Sequence, residues 1–215
     1  SLNAELLEDE LLSYESINTE EAKALLKAII SEIDRVTALT EEYLQFSRLP
    51  ESQLTRGDIH LVLEEIIDFL RYELIQKRIE VELHLRHPAP PVRFDRAQMR
   101  RALLNIIRNA IEAMPKGGRL KIWTEQRDKD ACIHIEDTGI GIPDEAIGKI
   151  FDPFFTTKDF GTGLGLVVVQ QIVSEHGGQV LCSSQIGKGT RFSIILPIEK
   201  TEGGKHRASK IHTRR

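Results

Sequence analysis

The sequence predicts an α+β protein, in which a helical hairpin is followed by an α/β sandwich of a mixed β-sheet layered with helices. Residues 19–47 repeat apolar side chains at alternating spacings of three and four, which is typical of a helix with a heptad seam. Residues 58–196 alternate between helical and strand patterns. The Leu49-Pro50 step separates the two regions, because proline cannot continue a helix.

The composition is typical of a globular chain. Of the 215 residues, 40% are hydrophobic and 29% are charged, and the formal net charge of −4 gives no basic field that would attract nucleic acid. The longest apolar stretch, residues 164–169, is too short to cross a bilayer, and the acidic first residues differ from a signal peptide. We therefore expect a cytoplasmic chain without nucleic-acid or membrane contact, although the full-length protein can be membrane-tethered.

Two cysteines, Cys132 and Cys182, each lie in an alternating strand pattern. Neither has CxxC spacing or a clustered histidine partner in the sequence, so a zinc site is not expected. The pattern predicts two reduced core thiols.

Residues 1–50 are predicted to form the helical hairpin, which is incomplete at its N-terminus. Residues 1–14 have the pattern of a helix whose beginning is missing, and Asn18 or Thr19 is expected to cap a second helix that ends near Ser47. The apolar stripe is wider than a two-stranded seam, which favours pairing with a second copy into a four-helix bundle. The alternative is one amphipathic helix that lies on the next domain. The seam contains Ala22, Leu26, Ile29, Ile33, Val36, Thr40 and Tyr43, and Leu25, Ile30, Leu39 and Leu44 widen it.

After a linker at 51–57, residues 58–198 are predicted to form the second domain, and residues 199–215 a disordered basic tail. Asp95 is expected to cap its second helix. The expected helices cover 58–77, 96–114, 144–149 and 165–176, and the expected strands cover 79–85, 92–94, 119–126, 131–136, 179–184 and 190–196. The buried side of the first helix is expected to contain Leu61, Leu63, Ile66, Ile67, Leu70 and Leu74.

Asn105 and Asn109 lie one helical turn apart on a helix that is otherwise largely apolar. Both amides are therefore expected to face the same cleft rather than solvent. An amide oxygen is a suitable ligand for a magnesium ion that keeps several waters and shares phosphate ligands. Arg108 and Lys116 are close enough in sequence to reach a phosphate, but each is equally compatible with a surface charge.

Asp137 ends a predicted strand and is followed by Gly139 and Gly141, which predicts a carboxylate at the bottom of a pocket. A buried carboxylate needs a polar partner. The two glycines do not form a dinucleotide fingerprint, because Pro143 and Asp144 follow and no third glycine lies at the required spacing.

A glycine-rich segment begins the last helix, but it lacks the Gly-Lys-Ser or Gly-Lys-Thr ending of a P-loop. Its free backbone amides and the helix dipole favour phosphate oxygens. Residues 154–158 are predicted to be a short lid, with Lys158 as a candidate for the terminal phosphate. Phe151 is expected in the core, and at least one of Phe154 and Phe155 is expected to move with the lid. The glycine-rich segment is Gly161, Thr162, Gly163, Leu164, Gly165 and Leu166.

In this order, over roughly residues 54–197, these motifs resemble the nucleotide-binding site of the histidine-kinase, gyrase, Hsp90 and MutL superfamily, and within it the sensor histidine kinases. The resemblance implies ATP and Mg²⁺ as cofactors, with the ion on Asn109 and the exocyclic amine of adenine on Asp137. It also places Thr190 near the same base, although an ordinary strand threonine is nearly as compatible with its context. The other implied ATP-binding residues are Asn105, Arg108, Gly139, Gly141, Lys158, Gly161, Thr162, Gly163, Leu164 and Gly165.

The resemblance implies an enzyme that transfers the γ-phosphoryl group of ATP to a histidine and thence to an aspartate of a response-regulator receiver domain. It also implies a homodimer through the 1–50 hairpin. The sequence departs from the family at one point, because none of its seven histidines is followed by the acid and the proline that accompany the acceptor. We therefore expect a fragment that begins after the acceptor histidine, and that binds ATP without labelling itself.

Three other classes remain as alternatives. An ATPase of the gyrase or MutL type would place a glutamate one turn before the magnesium asparagine, where this chain has Asn105. A serine kinase of the anti-sigma-factor type has no evident use for the heptad hairpin. A degenerate kinase that acts as a dimeric scaffold would not need the complete set of glycines and asparagines.

Overall fold

A computed structural model describes residues 19–47, 51–158 and 161–198. The first predicted hairpin helix and the predicted basic tail lie outside the described residues. The helices are α1 (Thr19–Ser47), α2 (Ile59–Gln76), α3 (Arg96–Glu112), α4 (Asp144–Ile147) and α5 (Gly165–Glu175). The strands are β1 (Thr55–Gly57), β2 (Ile79–His84), β3 (Val92–Phe94), β4 (Gly118–Arg127), β5 (Asp130–Asp137), β6 (Gln179–Gln185) and β7 (Gly189–Pro197).

Five strands form one mixed sheet in the order β2-β4-β5-β7-β6. The β2-β4 pair is parallel and the other three pairs are antiparallel. Side chains alternate between the two faces of a strand, and the inward ones, such as Leu120, Ile122 and Ile133, pack with α2, α3 and α5 into one hydrophobic core. The predicted α/β sandwich of a mixed sheet under helices is confirmed.

Two N-caps, of which Asp95 was predicted, fix where the long helices of this domain begin. Asp58 accepts a hydrogen bond from the His60 amide at 2.8 Å. Asp95 accepts one from the Gln98 amide at 3.0 Å, and its second oxygen accepts another from the Gln53 amide at 3.0 Å. The Asp95 carboxylate therefore begins α3 and also ties the preceding segment to it.

The structure departs from prediction at β1 and at Leu61. Strand β1 pairs antiparallel with β3 in a separate two-stranded sheet, inside the segment predicted as a linker. Leu61, which was expected on the buried side of α2, is 51% exposed. At 3.6 residues per turn Leu61 lies about 200° around the helix from the buried Ile59, so it faces solvent, and Val62 is buried in its place.

Helix α1 confirms the predicted helix over residues 19–47. Leu26 is buried, whereas the seam side chains of Ile29, Ile33 and Val36 are exposed in the single chain. None of the described helices combines the length and the apolarity that a membrane crossing requires. Both cysteines are free thiols, as predicted.

Candidate functional site

Asp137 lies at the end of β5, and its side chain is only 4% exposed. Its Oδ1 accepts hydrogen bonds from the Gly139 amide at 2.8 Å and from the Thr190 amide at 3.3 Å. Burial raises the pKa of this carboxyl, and the two backbone hydrogen bonds partly offset the rise. The carboxylate is thus buried and bonded to the glycine turn that follows it, whereas the pocket above it stays a prediction.

Ser184 on β6 joins three segments around Asp137 and was not predicted. Its hydroxyl donates to the Gly189 carbonyl at 3.0 Å and accepts from the Ile142 amide at 2.8 Å. It also lies 2.9 Å from the Thr190 hydroxyl. The loop after Asp137 is thus held against β6 and β7, and a strand serine carries no sequence signal for this role.

Gly141 allows that loop to approach the end of β6. Its φ of +74° lies in the left-handed region, and a Cβ there would lie 2.2 Å from the Gln185 carbonyl oxygen. Gly187 has the same φ of +74°, but a Cβ there would meet nothing within 4 Å. Substituting Gly187 therefore changes only the backbone strain, whereas substituting Gly141 adds a steric clash to the same strain.

We expect Gly187→Ala to lower the free energy of unfolding by about 1–2 kcal/mol, because it only strains the backbone. Gly141→Ala is expected to cost about 1–3 kcal/mol more, because its methyl group also displaces the Gln185 backbone. Urea unfolding of the two variants measures the difference. Equal losses would show that the close approach at Gly141 is not needed.

Helix α3 presents the two predicted asparagines toward Gly165 and Lys158. Asn105 Nδ2 donates to the Gly165 carbonyl at 3.2 Å, which ties α3 to the first residue of α5. Asn109 Oδ1 accepts from Lys158 Nζ at 2.8 Å, and the same ammonium is paired with Glu112. The contact between Lys158 and the asparagine helix was not predicted, because it joins residues that are far apart in sequence.

The lid segment begins with an unusual backbone at Phe154, whose φ is +66°. Its ring is 58% exposed, whereas Phe151 and Phe155 pack partly buried against the core. Gly163 lies directly against this backbone, since a Cβ there would come within 2.5 Å of the Phe154 carbonyl carbon. The core assignment of Phe151 is supported, and movement of the lid stays a prediction.

Helix α5 begins at Gly165 with Leu164 as its N-cap, and no side chain caps it. Leu164 is buried, and its amide contacts the Thr162 hydroxyl at 3.3 Å. The first amides of a helix have no partner within that helix, so this end can bind an anion. Gly161 and Gly163 precede this helix and have no side chains that could block its first amides.

Two of the three basic residues predicted as phosphate candidates, Arg108 and Lys116, are exposed. Within the described part of the chain, neither of these two side chains makes a hydrogen bond or an ion pair. The structure brings together the other predicted residues around α3, the Gly139–Gly141 turn and the start of α5. Whether either cation reaches a ligand stays a prediction.

Comparison with known proteins gives a consistent result. Residues 94–200 match a family model described as histidine kinase-, DNA gyrase B-, and HSP90-like ATPase. The signal transduction histidine-protein kinase AtoS of Escherichia coli (strain K12) is 37% identical over 174 residues, which are 80% of this chain and 29% of AtoS. The chain thus spans less than a third of that relative.

Solved structures agree with the sequence matches. The catalytic domain of histidine kinase ThkA has a TM-score of 0.63 at 30% identity, over 68% of this chain and 96% of that domain. Full-length ShkA in complex with AMPPNP has a TM-score of 0.70 at 26% identity, over 83% of this chain and 39% of ShkA. ThkA in complex with the response regulator protein TrrA has a TM-score of 0.71 at 24% identity, over 91% and 57% of the two chains, and shows the fold alone.

The family match places this chain in the class of ATP-binding domains shared by histidine kinases, gyrase B and HSP90. The matched residues include the buried Asp137, the two asparagines of α3 and the uncapped start of α5. Within that class, AtoS and ThkA are both histidine kinases. The chain belongs to the histidine kinases and contains their ATP-binding catalytic portion.

Proposed function

We propose that this chain binds Mg-ATP and supplies its γ-phosphoryl group to a histidine of the whole kinase, from which the group passes to an aspartate of a response-regulator receiver domain. The observation that carries the proposal is the buried Asp137 carboxylate, which is fixed by the Gly139 and Thr190 amides. A carboxylate held in this way accepts a hydrogen bond from the exocyclic amine of adenine. It rejects guanine, whose oxygen at that position would face it unpaired.

The triphosphate would extend from this pocket toward the start of α5. The amides of the segment 161–165 and the dipole of an 11-residue helix favour phosphate oxygens there. Thr190 would lie beside the base, since its amide already contacts Asp137. Lys158, Arg108 and the glycine turn at Gly139 and Gly141 complete the proposed ATP-binding set.

Asn109 is the proposed magnesium ligand, and its surroundings fit a cation. Its Oδ1 already accepts from the Lys158 ammonium, and the Glu112 carboxylate lies beside the same ammonium. An amide oxygen next to a carboxylate is a hard, electronegative environment that suits Mg²⁺. When bound, the ion would neutralise phosphate charge, while Asn109 orients it and the α5 amides position the phosphate oxygens.

Phosphoryl transfer to a protein is favoured over hydrolysis by the residue one turn before Asn109. Asn105 has no basic group that could take a proton from water, and its amide is engaged with the Gly165 carbonyl. Asn105 would then hold the start of α5 at a fixed position relative to Asn109, the proposed metal ligand. In phosphoryl transfer such positioning is most of what a protein domain contributes.

The proposed partners are a second copy of the chain and a receiver domain. Exposed apolar side chains along α1, including Ile29, Ile33 and Val36, support pairing through the 1–50 hairpin. ThkA, whose catalytic domain is 30% identical, forms a complex with the response regulator protein TrrA. We propose the same class of partner here, in the cytoplasm.

Phosphate release from Mg-ATP tests the proposal against an ATPase. The 215-residue chain is expected to bind ATP but to release phosphate no faster than its Asp137→Asn variant, because Asn105 occupies the position of the water-activating glutamate. Steady turnover that Asp137→Asn abolishes would overturn the kinase assignment. In a longer protein that includes an acceptor histidine, label from the γ-phosphate is expected on that histidine.

A further inference from the structure

The face of the sheet that points away from the helices carries a cluster that the ATP site does not use. Glu125 on β4 pairs directly with Cys132 on β5, and His134 lies two residues further along the same face of β5. One ligand atom from each of the three side chains lies within 4.8 Å of the other two. Cys132 is only 4% exposed and His134 only 7%, so the cluster is largely shielded from solvent.

The sequence expectation that no histidine clusters with a cysteine is wrong for Cys132. The spacing rules for zinc sites apply to ligands on turns and helices. Here alternation along β5 and the register with β4 bring the ligands together.

His134 is already oriented as a metal-binding histidine would be. One ring nitrogen, Nδ1, lies 2.8 Å from the Ser193 hydroxyl on β7, and the other, Nε2, lies 3.0 Å from Glu125 Oε1. In metal sites, a hydrogen bond at one ring nitrogen commonly fixes the imidazole so that the other nitrogen can bind the metal. The ring also stacks on Trp123, with centroids 4.7 Å apart and planes 23° apart.

Hydrogen bonding alone accounts for only part of this cluster. Glu125 Oε1 accepts from Arg127 at 2.6 Å as well as contacting His134, so the carboxylate and the imidazole both have partners. Within the described residues, the Cys132 thiol makes no hydrogen bond, although its sulfur lies within 4.8 Å of a ligand atom of each of the other two groups. Three different possible ligands therefore lie close together, and the softest of them is the one without a hydrogen-bond partner.

We propose that Glu125, Cys132 and His134 form a binding site for a thiophilic divalent cation of the Zn²⁺ class, separate from the ATP site. Thiolate, imidazole and carboxylate together suit zinc in a tetrahedral arrangement with a fourth position for water, whereas Mg²⁺ prefers oxygen ligands alone. On binding, the S–H bond of Cys132 breaks, a sulfur–metal bond forms and the proton passes to solvent. The thiolate and the carboxylate supply the two negative charges that face the ion, while Arg127 stays beside the carboxylate, and no redox change is involved.

The chain contains its own reporter for this site. Trp123 is the only tryptophan, and it stacks on the proposed histidine ligand. Co²⁺, a coloured substitute for Zn²⁺, is therefore expected to quench the Trp123 emission on binding. It is also expected to produce a thiolate-to-cobalt charge-transfer absorption in the near ultraviolet.

The experiment titrates the reduced 215-residue chain with Co²⁺ in excess Mg²⁺, which occupies sites made of oxygen ligands. Both signals are expected to saturate at one molar equivalent and to be reversed by Zn²⁺. Cys132→Ser should abolish the charge-transfer absorption, whereas Cys182→Ser, which removes the other free thiol, should leave it unchanged. An absent absorption at one equivalent, or an absorption that survives in Cys132→Ser, would overturn the proposal.

Two further variants keep the test informative if Cys132→Ser does not fold. Ser193→Ala removes only the group that orients His134, and it should lower the Zn²⁺ affinity roughly 10–100-fold. Glu125→Gln changes a half-buried side chain and should also weaken Zn²⁺ binding by at least about tenfold while keeping the thiolate absorption. Unchanged affinity in both variants would place the metal elsewhere and refute this site.

Discussion

An Asp137→Asn chain is expected to lose about 100-fold in affinity for ATP while keeping its fold. The substituted amide has the shape of the carboxylate, and its oxygen can still accept from the Gly139 and Thr190 amides. Its NH₂ group, however, would face the amine of adenine, so two donors would meet in a buried pocket. Losing a charge-assisted hydrogen bond costs about 1.5–3 kcal/mol, and leaving a buried donor unpaired costs about 1–3 kcal/mol. The lower ends of these two ranges together already correspond to a loss of about 100-fold.

Isothermal titration with ATP measures this loss, and Glu136→Gln is the matched control. Glu136 is the preceding residue, and it is paired with Arg191 on the open face of the sheet. Its neutralisation removes the same charge from the same strand without touching the pocket. An Asp137→Asn chain that binds ATP as the control does would refute the role of Asp137 in recognising the base.

The pH dependence of ATP binding provides a second check on Asp137. Burial raises the pKa of this carboxyl, and protonation would remove the acceptor for the adenine amine. ATP affinity is therefore expected to be present at neutral pH and to fall, on acidification, at a higher pH than an ordinary aspartate would cause. In Asp137→Asn this fall should be absent.

Asn109→Ala is expected to reduce phosphoryl transfer by about 100–1,000-fold in a longer protein that carries the acceptor histidine. A metal ion that neutralises phosphate charge contributes several kcal/mol to the transition state, and each 1.36 kcal/mol is a factor of ten in rate. In the 215-residue chain, ATP affinity measured with Mg²⁺ should fall to the value measured without it.

Asn105→Ala is the matched control for Asn109→Ala, because it truncates the same amide one turn earlier. It breaks the contact with the Gly165 carbonyl and should weaken ATP binding equally with and without Mg²⁺. If the Mg²⁺ dependence of ATP affinity survives in Asn109→Ala and is lost in Asn105→Ala, then Asn105 rather than Asn109 is the magnesium ligand.

Local patterns predicted most of the fold and the order of the site residues. The N-caps at Asp58 and Asp95 and the ends of β4 and β5 depend on nearby residues, so the sequence is enough to locate them. Strand β1 was not predicted, because its three residues are all exposed and show no alternation of apolar and polar side chains. It is a strand only because it pairs with β3. The sequence cannot reveal pairing between segments that are nearly forty residues apart.

The site shows the same division between local and distant contacts. The Asp137 turn follows from an acid and two glycines in sequence, whereas Ser184 acts through residues on β7 and in the loop before α4. The Glu125, Cys132 and His134 cluster also depends on the register between two strands. Functional residues that act through sheet register therefore become visible only in three dimensions.

The contact between Lys158 and Asn109 has a consequence for the order of events in the cleft. One amide oxygen that already faces an ammonium at 2.8 Å has no room for a metal ion at the same place. If Asn109 binds Mg²⁺ as proposed, the ion would compete with the Lys158 ammonium for the same oxygen, and Lys158 would have to leave Asn109. The lysine would then hold the place of the metal cation in the empty pocket, and binding of the ion would be coupled to the position of residues 154–158.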